Sequence, residues 1–94
     1  MSSDAKSLPV SFSTLIFSLA SSAVLAMGLE KNPHTGQTEK DLDVARFNID
    51  MLNLLKDKTK GNLSGEEKQF LDGVVSDLQM KFVYVMNGTG DQAT

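Results

Sequence analysis

The sequence predicts an all-α fold of three helices and no sheet. Helix two is central and forms an antiparallel hairpin with helix three, while helix one packs alongside. Two observations carry this. Three apolar segments repeat at the three-and-four spacing of a helix face. Each is bracketed by a capping side chain before it and a glycine after it, and no stretch of useful length alternates like a strand.

Helix one runs from about Ser13 to Met27, with Phe12, Ile16, Leu19, Ala23, Ala26 and Met27 on one face. Ser11 or Ser13 caps its start by accepting a backbone N–H bond, and Gly28 supplies the turn after its end. Its opposite face carries no charge: Thr14, Phe17, Ser18, Ser21, Val24 and Leu25.

Helix two runs from about Leu42 to Lys60, capped by Asp41, with Asp43 at the positive end of the helix dipole. Leu42, Ala45, Ile49 and Leu52 form one apolar face; Val44, Phe47, Met51, Leu54 and Leu55 form another. Two apolar faces imply more than one neighbour, hence the central placement.

Helix three opens on Ser64-Gly65-Glu66-Glu67, the spacing of a capping box. Phe70, Leu71, Val74, Val75, Leu78, Phe82 and Val85 are its expected buried face. The short link from Gly61 to Leu63 makes helices two and three antiparallel neighbours. The predicted domain spans residues 12–87, with disordered tails over residues 1–11 and 88–94.

Composition narrows the function. A chain of 94 residues is one small domain. It has no Cys, so neither a disulfide nor a cysteine zinc site can form. A net charge of −3 has the wrong sign for a nucleic-acid binder held by phosphate contacts. The single His34 lies in a turn-rich stretch with no companion ligand, so neither catalysis nor metal binding is assigned to it. No cofactor is expected.

The stretch from Gly28 to Asp41 reads as a fourteen-residue loop, and Pro33, His34, Thr35 and Gly36 are its candidate binding residues. Lys56, Lys58 and Lys60 beside Ser64 raise an anion site, but lysines also offset the negative end of helix two without any ligand. Glu66, Glu67, Asp72 and Asp77 read as solvated carboxylates.

The twenty-three residues from Ser7 to Leu29 carry no charge, a length that could span a bilayer or serve as a signal peptide. Their many serines, and Asp4 cancelling Lys6, favour a buried helix of a cytoplasmic protein instead.

Several strings resemble a known family. Phe12-Ser13-Thr14-Leu15-Ile16 with Ser18-Leu19-Ala20, Asn32-Pro33-His34-Thr35-Gly36, Asp41-Leu42 through Ile49-Asp50, and Leu55-Lys56-Asp57-Lys58-Thr59-Lys60-Gly61-Asn62-Leu63 resemble the bacterial domain-of-unknown-function family 1844. The resemblance covers Phe12 to Val83 and is most specific at Lys58-Thr59-Lys60-Gly61-Asn62-Leu63. It implies a small helical bacterial protein and lends no catalytic residue. The segment Lys81-Phe82-Val83-Tyr84-Val85-Met86 is more apolar than the charged ending usual in that family.

The expected function is a self-associating interaction module, a dimer through the uncharged side of helix one, with an unknown protein partner and no enzymatic activity. The alternative is a membrane-peripheral or membrane-anchored protein using that same helix.

Overall fold

The computed structural model describes residues 8–88. Five elements follow one another: α1 (Phe12–Ala26), β1 (Met27–Lys31), β2 (Thr38–Lys40), α2 (Leu42–Lys58) and α3 (Gly65–Met86). Of the expected tails, residues 1–7 and 89–94 lie outside the described residues.

The three helices begin where their side chains can satisfy free N–H groups. Ser11 accepts from the Thr14 N–H at 3.1 Å, and Asp41 accepts from the Val44 N–H at 3.2 Å. At α3 the bonding is reciprocal. Ser64 Oγ accepts from the Glu67 N–H at 3.1 Å, and the Ser64 N–H donates to Glu67 Oε1 at 2.9 Å.

The expectation of no sheet is overturned. β1 and β2 form a two-stranded antiparallel sheet, pairing Met27 with Lys40 and Lys31 with Thr38, with an irregular register between. The hairpin is a clamp at the helix ends. α1 stops at Met27, Gly28 turns the chain at φ +78°, and the Asp41 N–H donates to the Ala26 carbonyl at 2.7 Å. Half of the stretch expected to be an open loop is therefore strand. Its strands read as coil because they are short and all of β2 is exposed, so no side-chain alternation marks them.

The core gathers Ile16, Ala23 and Met27, Ala45, Ile49 and Leu52 of α2, and Leu71, Val75, Leu78 and Val85 of α3. Full burial of one such leucine or isoleucine contributes about 1.5–3 kcal/mol. α2 and α3 are antiparallel. The end of α2 meets the start of α3 at Lys56 and Asp72, while Arg46 and Ile49 share a groove with Phe82 and Met86. α1 touches both other helices.

Two expectations about burial also change. Phe70, assigned to the core, is exposed. The second apolar face of α2 is uncovered at Val44, Phe47 and Leu54, Phe47 being 61% exposed. α2 thus has neighbours on one side only, because both α1 and α3 pack around Ala45, Ile49 and Leu52.

Candidate functional site

The uncharged side of α1 is divided by its neighbours. Phe17 is 56% exposed and Ser18 is exposed, while Thr14 is half-buried and accepts a hydrogen bond from the Ser11 hydroxyl. Ser21 and Val24 turn toward α3, lining a shallow cleft with Phe17, Glu30, Val74, Asp77 and Leu78. Val24 packs against the core from there. Leu25 faces the other way, beside Asn32, Asp41 and Val44. The six residues do not form one patch.

Pro33, His34, Thr35 and Gly36 form the exposed tip of the hairpin. Its polar groups are largely spent on itself. Asn32 Oδ1 accepts from the His34 N–H at 2.8 Å, the Asn32 carbonyl accepts from the Gly36 N–H at 2.7 Å, and Thr35 Oγ1 accepts from the Gln37 N–H at 3.2 Å. This is a self-bonded Asx turn. Among the described residues, no group of three His, Asp or Glu side chains could hold a metal ion.

At the α2–α3 turn, Lys56, Lys60 and Lys68 surround a cleft of about 280 Å³ with Leu71 in its wall. Asp72 shares the cleft. Lys68 Nζ donates to Asp72 Oδ2 at 2.8 Å, and Lys56 Nζ lies 3.5 Å from Oδ1. The Lys68 hydrogen bond holds the Asp72 carboxyl below its usual value, helped by the charges of Lys68 and Lys56 and opposed by partial desolvation. The carboxylate thus answers the cations from within the protein, and the Ser64 and Glu67 N–H groups are taken by the capping box. Lys58 lies outside the cleft, on the exposed surface.

Sequence reading took Asp72 as a solvated carboxylate. Its spacing from Lys68 was visible, but Lys56 reaches it only through the fold. Asn48 was also missed. It is buried at 7% exposure, and its side-chain amide donates to the Val44 carbonyl one turn back at 3.0 Å.

Among the described residues, no helix is long and apolar enough to cross a membrane. The uncharged run is cut at fifteen helical residues, where β1 begins.

A family model matches residues 9–84, from just before α1 to the last turn of α3. The chain belongs to the family described as a domain of unknown function (DUF1844). No curated protein and no solved structure matches the chain. The match takes in the hairpin as well as all three helices, ending two residues before the end of α3.

Proposed function

We propose that this DUF1844 domain is a self-associating protein-interaction module of the cytoplasm, with no catalysis of its own. The balance of its apolar side chains supports that reading. Among the described residues, ten apolar side chains are buried, and thirteen large ones are exposed. Scattered exposed leucines are ordinary, but grouped ones mark interaction surfaces. Here they group on α3, where Met80, Val83, Tyr84 and Met86 fall within two turns, and on the outer side of α2.

Nothing in the clefts favours catalysis. The one carboxylate of the lysine cleft is ion-paired, and His34 stands on a self-bonded turn at the exposed tip of the hairpin.

Sedimentation equilibrium tests the reading. At roughly tens of micromolar, a range suited to a moderate dissociation constant, the wild type should run as a dimer. Ser18→Arg tests the contribution of α1. Ser18 is the better probe because Ser21 borders Asp77 and Glu30, where an arginine would gain carboxylate neighbours in its own chain. The charge should raise the dissociation constant about tenfold, equivalent to about 1.4 kcal/mol. A folded wild-type monomer overturns the reading; an unchanged Ser18→Arg dimer removes α1 from the interface.

A further inference from the structure

The lysine cleft is built by a chain reversal. Gly61 takes φ +81°, and the turn it makes brings Lys60 and Leu63 to the start of α3, where Lys68 and Leu71 stand. The polar groups of the cleft are unevenly spent. Lys68 is engaged, donating to Asp72 Oδ2 at 2.8 Å. Lys56 Nζ stands 3.5 Å from Asp72 Oδ1, and that oxygen, closed to solvent, makes no hydrogen bond. Lys60 makes no ion pair among the described residues. The turn's own bonds run from the Lys60 N–H to the Asp57 carbonyl and from the Asn62 N–H to the Thr59 carbonyl. They leave the N–H groups of Gly61 and Leu63 without a partner among the described residues. Lys60, Gly61 and Leu63 thus bring three unspent donors to one wall.

Charge points the same way. Three ammonium groups and one carboxylate line the cleft, an excess of two positive charges. Asp57, Glu66 and Glu67 lie outside the lining, and Glu67 is spent on the Ser64 N–H at 2.9 Å. Leu63 is half-buried and Leu71 is 1% exposed, so the cleft also has an apolar wall. A concave apolar surface with a few converging polar groups is the usual make-up of a small-molecule site. Its volume of about 280 Å³ suits a small ligand.

We infer that this cleft binds a small phosphate monoester, with the phosphoryl group at Lys60, Gly61 and Leu63 and an apolar body against Leu63 and Leu71. This goes beyond the self-association reading and does not depend on it. A phosphate monoester near neutral pH carries a charge of about −1.5 to −2 and three strong acceptor oxygens. That charge offsets the excess of the lining, and the three oxygens equal the unspent donors in number. A carboxylate brings two oxygens and a single charge, and leaves part of the excess unanswered. A long polyanion such as nucleic acid is opposed by the chain's net charge of −3.

Titration of the isotope-labelled full chain with phenyl phosphate, followed through its amide chemical shifts, tests the site. The Gly61 and Leu63 amides should shift and saturate, with a dissociation constant of about 1 mM or below. Lys60→Ala should raise that constant about tenfold, the loss of one charge-assisted hydrogen bond. Lys58 is exposed outside the cleft, so Lys58→Ala should leave the constant unchanged. Both lysines are exposed, and both variants should keep the helix content of the wild type by circular dichroism. Inorganic phosphate, which lacks the apolar body, and benzoate, which lacks the second charge, should each bind more weakly than phenyl phosphate. Shifts that do not saturate, or equal weakening by Lys58→Ala and Lys60→Ala, overturn the site. Benzoate or inorganic phosphate binding as tightly as phenyl phosphate overturns the assignment of a phosphate monoester. All of these outcomes leave self-association standing, since none of them reads the mass of the chain in solution.

Discussion

Asp72 shows how one residue ties two elements together. Its bond to Lys68 is local to α3, but its contact with Lys56 joins the end of α2 to the start of α3. The lowered pKa means that folding favours the carboxylate form. That contribution is full above the unfolded value, near 3.8, and is lost as pH falls through the lower folded value. Asp72→Asn should therefore melt below the wild type at pH 7, and the two curves should converge in strong acid. Added salt should narrow the gap at neutral pH, because the groups are partly solvated. A gap that persists in acid would assign the effect to packing instead of charge. The caps at this scale were legible because capping depends on neighbours within one turn. Asn48 was not, since its burial depends on which side of α2 its neighbours cover.

At the scale of elements, the hairpin is the part that sequence reading lacked. Gly28 was correctly placed as the residue after α1, but its role was read as ending a helix and no more. In the fold it also turns the chain into β1 at φ +78°, and a Cβ there would lie 3.5 Å from the Glu39 carbonyl oxygen. That separation is ordinary contact, so strain comes from the backbone alone. Gly28→Ala should cost about 1–2 kcal/mol, the penalty of a left-handed conformation for an L-residue. Thermal melting would show this as a shift of several degrees downward in a domain this small. An unchanged melting temperature would mean that the chain leaves α1 along a different path. Met27-Gly28-Leu29-Glu30-Lys31 and Thr38-Glu39-Lys40 carry little strand propensity of their own. Their pairing is fixed by the meeting of α1 and α2 at Ala26 and Asp41, a contact fifteen residues apart in sequence.

At the scale of the molecule, a thin core beside an apolar exterior makes stability depend on concentration. A dimer formed by folded chains shifts the unfolding equilibrium by mass action. Melting temperature should rise as wild-type concentration rises from about 1 μM, a dissociation constant worth about 8 kcal/mol, into the millimolar range. A wild-type midpoint that stays fixed over that span would argue for a monomer stable on its own core. Legible in the sequence alone were the three helices, their caps, most of their core-facing residues and the antiparallel turn from α2 to α3. Each depends on residues within a turn or two of each other, or on a link too short to allow another arrangement. Only the tertiary structure decided that Gly28 to Asp41 is a hairpin, that Phe70 and the second face of α2 stay uncovered, and that Lys56 reaches Asp72. Periodicity marks which side chains are apolar, but three helices have too few neighbours to cover every apolar face. Which faces remain open is set by how the helices meet.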